Sequence, residues 1–590
     1  MHAWPQTIRS VWVVAALTAL LSLASVARAQ TPASPPPPVT PPTETVLTPS
    51  PDTAAVLQTI PADADGVLII PKLAECDARL TALAQRAAFP PISALTLAKG
   101  WLEIITGIDE TGAAAVVLLP ARTPQRPAPS LLLIIPTADR HAVLGLLNAE
   151  PLEAGYFRVR VRGRESFAAA CGPFTVLGPS VAAVQAIVEP TGEPLAARLQ
   201  AAQKGFLTAG DIVFWLDLTR LPGGIEAGRS AESPWPWPLP DAAVLAAHRQ
   251  ALATLRIEPQ GVTAELHLGP AASAAQPAGG SSTSERTLLE GLPAGPCAVA
   301  LGATGQSATA MARLLLGNLV PGSVTNAPVD AAALQGLRET CLSLAENVSA
   351  LSLSVAQPAD PTEGLLAAYV VLDMRGGSGA VLATLAAAIE RFRASVGAEQ
   401  PAQRVGRALV YQQAAERRDE LAVDHLTFDL GVLPPEQTEL WRKVLGNEGL
   451  LIRLAAIGET RLLVGLGGGP ARFAVAAAAA QSEQAPLAAE AGLVRAATRL
   501  PAQRSFAAYV YLERVRRLFT QLAATAGAPE RTRRLPIVAD IDAPIGVVAN
   551  VEEGGTVRVN AFIPVELIAA IRAAVVENLA RDARISLPRP

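Results

Sequence analysis

The chain has 590 residues, 50% of them hydrophobic and 17% charged, with a formal net charge of -4. That balance provides no global basic field to condense onto nucleic acid, and the length allows about two to four domains. Apolar runs beyond Val26, such as SLLLIIP and AVVLLP, are short and end at proline or charge, so they read as buried strands rather than membrane spans.

At the N-terminus, Arg9 precedes an apolar run from Val11 to Val26, which closes in Ala27-Arg28-Ala29. This is the order of a cleavable secretory signal over residues 1–29, with the mature chain beginning at Gln30. An uncleaved anchor is the alternative. A spanning helix, however, wants about 20 apolar residues, and this shorter run contains Thr18, Ser22 and Ser25. No cysteine ends the run to receive a lipid. The expected location is the periplasm or the extracellular space, with no membrane span after signal removal. The stretch TPASPPPPVTPPTETVLTPSP favours extended polyproline II, so residues 30–55 read as a linker.

Two units are expected to follow, at 56–285 and 286–590, because the elements recur in the same order. TIPADADGVLIIPKL gives a strand, then a helix with Leu73, Cys76, Leu80, Leu83 and Ala87 on one face; its counterpart is GLPAGPCAVALG with a helix around Met311, Leu314 and Leu315. SLLLIIPTADRHAVLGLL matches LLAAYVVLDMRGGSGAVLATLAAAI, and FTVLGPSVAAVQAIV matches RLLVGLGGGPARFAVAAAAA. IVFWLDLTRL then corresponds to FAAYVYLERV, and LRIEPQGVTAELHLGP to ANVEEGGTVRVNAFIP. Leu218 and Leu512, Arg220 and Arg514, Glu258 and Glu552, and Gly261 and Gly555 are all 294 residues apart. The second half is longer between Arg391 and Leu450, where an insertion is expected.

Glu258-Pro-Gln-Gly and Glu552-Glu-Gly-Gly join alternating segments as hairpin turns do. Together these connections predict α+β architecture: two duplicated units, each a largely antiparallel sheet with helices packed on one face. A doubly wound parallel fold is the alternative. The order of elements, with VLGPS or VGLGG after a strand, then LDLTR or YLERV, and FIPVELIAAI near the end, resembles large exported bacterial proteins to which no activity is assigned. The resemblance implies no active-site residues.

Candidate chemistry is sparse. Four cysteines, Cys76, Cys171, Cys297 and Cys341, enter an oxidising compartment if the chain is exported. Pairing within each half, Cys76 with Cys171 and Cys297 with Cys341, competes with four buried free thiols. Without Cys-x-x-Cys or His-Glu-x-x-His, no metal site is expected. Val464 to Pro470, VGLGGGP, places a glycine loop between strand and helix, but Pro470 stands where a dinucleotide fingerprint wants glycine. A structural turn is the favoured reading, and no cofactor is expected. Asp424-His425 lies in an alternating strand, where solvent exposure explains it. Asp217 and Asp373 each have an arginine just beyond and read as salt-bridge or capping acids, while Asp540 and Asp542 in DIDAP read as turn acids.

The strand YFRVRVRGRE sets Phe157, Val159 and Val161 on one face and Arg158, Arg160 and Arg162 on the other. This stripe is the candidate anion-binding feature, for example towards an acidic envelope polysaccharide; a solvated sheet face guarded by arginine is the plainer reading. Trp235 and Trp237 in SPWPWPLP read as a lid over the core. The expected function is a non-catalytic binding or scaffolding module of the cell envelope, its partner an envelope protein or polysaccharide. The alternative is an extracytoplasmic, hydrolase-like enzyme using Asp540 and Asp542.

Overall fold

The computed structural model describes residues 51–89, 93–120, 129–219, 248–270, 288–319, 331–395, 408–418, 420–482, 486–527, 541–551 and 556–573. The chain divides into two compact units, one built on Ala27–Ala278 with Glu552–Arg572, the other on Gly279–Val551. The signal residues Ala27, Ala29 and Gln30, together with Asp540, Trp235 and Trp237, lie outside the described residues. Pro51–Thr59, which overlaps the stretch read as linker, is helical, because Val56 and Leu57 bury themselves in the core.

In the first unit the strands are β1 (Gly66–Ile70), β2 (Ala114–Leu119), β3 (Ser130–Pro136), β4 (Glu150–Pro151), β5 (Tyr156–Val161), β6 (Arg164–Cys171), β7 (Phe174–Gly178), β8 (Ile212–Asp217), β9 (His248–Glu258) and β10 (Gly261–Pro270). They pair antiparallel in the order β4-β5-β6-β7-β3-β2-β1-β8-β9-β10. Val67, Ile69, Val117, Leu119, Leu132, Ile134, Val213 and Trp215 form one face, packed against Val184 and Ile187 of the helix Val181–Val188. Ile70, Ile212 and Ile257 meet Cys76 and Leu83 of the helix Leu73–Arg86. Further along, Leu133, Ile135 and Leu177 meet Val143 and Leu147. Helices therefore cover both faces, a correction to the one-sided packing expected from sequence. The physical cause is that β1, β2 and β8 are apolar at odd and even positions alike, so neither face can be left to water.

The strands of the second unit are β11 (Val299–Thr304), β12 (Val348–Ala356), β13 (Ala367–Met374), β14 (Leu409–Arg418), β15 (Leu421–Phe428), β16 (Leu451–Ile457), β17 (Arg461–Gly467), β18 (Phe506–Val510) and β19 (Ile545–Val551). They pair in the order β14-β15-β16-β17-β13-β12-β11-β18-β19, antiparallel at every described pairing. Helices Ala331–Glu346 and Ser378–Ser395 pack through Leu337, Cys341, Ile389 and Phe392 onto Leu454 and Val464. Phe473 of the helix Gly469–Gln481 lies over Gly465 and Tyr369, the opposite face of β17 and β13. The extra length between Arg391 and Leu450 carries the β14–β15 hairpin and the helix Pro435–Leu445. The last strand, β20 (Val557–Pro564), pairs antiparallel with β10 and belongs to the first unit. The doubly wound parallel alternative is excluded for the described sheets, whose pairings are antiparallel throughout.

Candidate functional site

The first unit carries a line of large apolar side chains that its core does not cover. Ser93 caps the helix Ala94–Leu102 by accepting the Thr96 N–H at 2.9 Å, and Asp77 accepts the Leu95 N–H at 2.9 Å. Glu103, with φ 63°, ends the helix and turns Ile104 into the core among Ile135, Val143 and Val159. Lys99 is tied to Glu110 by an ion pair. These anchors fix the helix although none of its residues is buried. Leu97, Trp101 and Ile105 consequently stand 60%, 59% and 63% exposed. Leu97 and Trp101 are one turn apart on one helix face, and Ile105 follows just past the cap.

The arginine stripe reaches this ridge only at its last member, Arg162. Val159 is buried, Phe157 and Val161 half-buried, and Arg158 and Arg160 exposed, as the alternation predicts. Arg162 sits in the turn after β5, with φ 53°, its guanidinium 5.4 Å from the Trp101 ring centroid and its backbone N–H on the Glu103 carboxylate at 3.0 Å. Arg158 lies 3.6 Å from Glu150 and 3.7 Å from Glu165. The guanidinium groups of Arg160, Arg162 and Arg164 have no carboxylate partner among the described residues. The sequence reading singles out the arginines but misses the ridge. Its signal is available in LTLAKGWLEII, where Leu97, Trp101 and Ile105 recur every fourth position; an Ala-rich helix of this kind reads by default as core.

The other candidates are structural. All four cysteines are free thiols, so the pairing considered from sequence is not formed. Cys76 packs with Leu83 and Ile257, while Cys341 packs with Leu337 and Phe392. Burial pushes the Cys76 thiol up to about 11 and Cys297 up to about 12, and raises Cys171 and Cys341 as well. Such thiols are poor nucleophiles.

In the glycine loop Gly467, Gly468 and Gly469 all have positive φ, and the Gly468 N–H donates to the Glu363 carbonyl at 3.3 Å. The Glu363 carboxylate accepts Arg472 Nε at 2.8 Å at the start of the same helix. An acid of the chain thus already stands where a bound phosphate would be drawn by the helix N-terminus.

Asp424 is buried rather than solvated, accepting the Tyr411 hydroxyl at 2.5 Å and the Ala414 N–H at 2.8 Å. His425 is half-buried, 3.4 Å from Glu416, which also meets Arg453 and Arg418. Burial pushes the Glu416 carboxyl up, but Arg418 and Arg453 outweigh it and hold the group below its ordinary value. These contacts replace the solvent exposure expected for the pair. Asp217 and Asp373 are salt-bridged, but to arginines remote in the chain, Arg198 at 2.7 Å and Arg461 at 2.9 Å, while the local contact of Asp217 is to Thr219.

Asp542 accepts Arg514 at 2.7 Å, and the same guanidinium reaches Glu490 at 3.1 Å and the Cys297 carbonyl at 2.8 Å while lying 3.9 Å from the Tyr511 ring centroid. This is a staple joining the loop before β11 to the ends of β18 and β19. Among the described residues no three His, Cys, Asp or Glu side chains group as metal ligands, and no helix is long and apolar enough to cross a membrane.

No family model and no curated relative matches the chain. Two crystal forms of TP0453 align weakly. Form IV has 12% identity over 36% of this chain and 79% of that one, with a TM-score of 0.24. Form III has 9% identity over 39% and 82%, also at 0.24. At that level the likeness carries no argument.

Proposed function

We propose that the chain is an exported, non-catalytic binding module of the cell envelope, built from two duplicated α+β units, and that the Leu97–Trp101–Ile105 ridge is its contact face. The ridge carries this reading. Three large apolar side chains held out from a well-anchored helix are costly to leave in water, and the neighbouring arginines give the face a charge preference. Export is supported by the Ala27-Arg28-Ala29 site after the apolar run.

Duplication is supported by the strand orders β7-β3-β2-β1-β8-β9 and β17-β13-β12-β11-β18-β19, which run in parallel element by element. The 294-residue offset also carries Ile212–Asp217 onto 506–511, where β18 lies. The hydrolase alternative named Asp540 and Asp542, and the latter is engaged by Arg514.

The test is photocrosslinking in the native envelope, with the reactive group placed at Leu97 or, as a control, at exposed Gln185. Adducts at Leu97 and none at Gln185 are expected, from a chain whose N-terminus is Gln30. Equal labelling at both positions, or none, removes the contact face.

A further inference from the structure

We infer that the partner of the ridge is a lipid surface: Leu97, Trp101 and Ile105 insert at the edge of an anionic bilayer while Arg162 and Arg164 meet its phosphates. The inference rests on the binding-module reading and names the occupant of its contact face. Shape is the first argument. Two of the side chains project about 6 Å apart along one face of a helix with no buried residue, and the third is exposed just past its cap, so the feature stands out from the surface. A fluid surface closes around such a ridge, whereas a protein would need a matching groove.

Residue chemistry is the second argument. An exposed helix with leucine and tryptophan on one face and cationic side chains beside it has the composition of an interfacial segment. Tryptophan favours the boundary between hydrocarbon and headgroups.

Charge complementarity is the third. Acids do lie nearby, but they are occupied: Glu110 by Lys99, Glu103 by the Arg162 backbone N–H, Glu150 and Glu165 by Arg158. Glu165, opposite Arg160 in the β5–β6 register, turns its carboxylate to Arg158 instead. Arg164, opposite Val161 in the same register, shares the face that packs on Ile104, and Arg162 sits at Trp101, so these two guanidinium groups are left on the ridge side with no carboxylate partner among the described residues, while Arg160 lies on the other sheet face. Arg162 is held at Trp101 by their 5.4 Å ring contact, so one cation sits at the depth of the apolar wedge. The chain needs no net positive charge for this, since headgroup attraction falls off within a Debye length.

The experiment is co-sedimentation of the exported, full mature chain with vesicles of phosphatidylcholine alone or mixed with phosphatidylglycerol, alongside light scattering of the free protein. Binding to the mixed vesicles that weakens with salt is expected. Leu97→Ser with Trp101→Ser should lower that affinity by roughly tenfold or more. Arg162→Glu with Arg164→Glu should abolish the preference for the anionic lipid while sparing the thermal midpoint, whereas Arg160→Glu, on the other sheet face, should leave that preference unchanged. If the Trp101 change shifts the midpoint, Leu97→Glu alone replaces it.

No binding to mixed vesicles, or equal binding by the variants at Leu97 and Trp101 or at Arg162 and Arg164, overturns the inference. So does a dimer that the Leu97 and Trp101 changes dissolve, which would reassign the ridge to a second copy and leave the contact-face reading standing. Failure of the Leu97 crosslinks as well would remove both.

Discussion

The carboxylate of Asp424 accepts the Tyr411 hydroxyl at 2.5 Å from the neighbouring strand. Its second oxygen takes the Ala414 N–H, at the point where the β14–β15 register shifts between Gln412 and Glu416. Ala414 adopts φ 45°, a conformation alanine avoids. Asp424 therefore fixes a bulge, and burial together with the Asp424 bond raises the Tyr411 hydroxyl above its ordinary value.

Replacing Asp424 by alanine strands two polar groups at once. The expected loss in urea unfolding is roughly 2 to 4 kcal/mol. Asp424→Asn, which keeps one acceptor, should lose about half as much. A catalytic role for the Asp424-His425 pair would instead show as lost activity at unchanged stability.

Asp217 gives the pH dependence a sign. It is buried, which pushes its carboxyl up, but the Thr219 hydroxyl and Arg198 outweigh that and leave it below its ordinary value. A depressed group contributes stability that is present above its unfolded value, about 3.9, and is lost as pH falls through the folded value. Stability should thus be unaffected by this group between about pH 7 and 5 and fall steeply in stronger acid. Asp217→Asn should flatten that acid limb and cost on the order of 1 to 3 kcal/mol at neutral pH, the lower end reflecting the half-exposed Arg198. An unchanged acid limb in the variant would assign it to other carboxylates.

The strand and helix order is readable because each strand is a short apolar run closed by a turn, and the α+β class follows from the hairpins. Face assignment is not readable. In β1, Val67 and Ile69 enter one core while Ile70 joins the other, and a continuous apolar run contains no alternation to report this. Asp424 escapes for a different reason: regular alternation sets it on the face of Leu454, which is core, and the two extra residues of β14 between Gln412 and Glu416 bring the Ala414 N–H to it, a partner that β15's own periodicity does not report. The ridge is hidden by its own composition, since ALTLAKGWL looks like a core helix until its anchors, Asp77, Ile104 and Glu110, are seen to hold it from one side.

The cysteines supply a prediction about redox state. With thiols at about 11 for Cys76 and about 12 for Cys297, roughly one Cys76 side chain in a thousand is thiolate at about pH 8. Native protein should resist iodoacetamide at Cys76, Cys297 and Cys341, all buried. Unfolding without reductant should expose four alkylatable thiols by mass spectrometry, and reductant should leave the thermal midpoint unchanged. Two or fewer labelled thiols would mean that disulfides form after export.

The glycine loop separates a conformational requirement from a ligand requirement. Gly467 and Gly469 have nearly equal positive φ, 69° and 67°. A Cβ on Gly467 would lie 2.1 Å from the Leu366 carbonyl oxygen, whereas on Gly469 its nearest neighbour is the Glu363 Cγ at 3.5 Å. Gly469→Ala should therefore cost only the left-handed backbone term, about 1 to 2 kcal/mol. Gly467→Ala adds a clash with backbone that cannot swing aside, because Leu366 is itself hydrogen-bonded to the Val444 carbonyl and Ala367 is paired with Gly467 across β13 and β17. Its unfolding midpoint should drop distinctly further. Adding phosphate or a nucleotide should restore neither variant, since the cation at the start of the helix, Arg472, is already paired with the Glu363 carboxylate. Recovery of either variant by phosphate would make the loop a binding site after all.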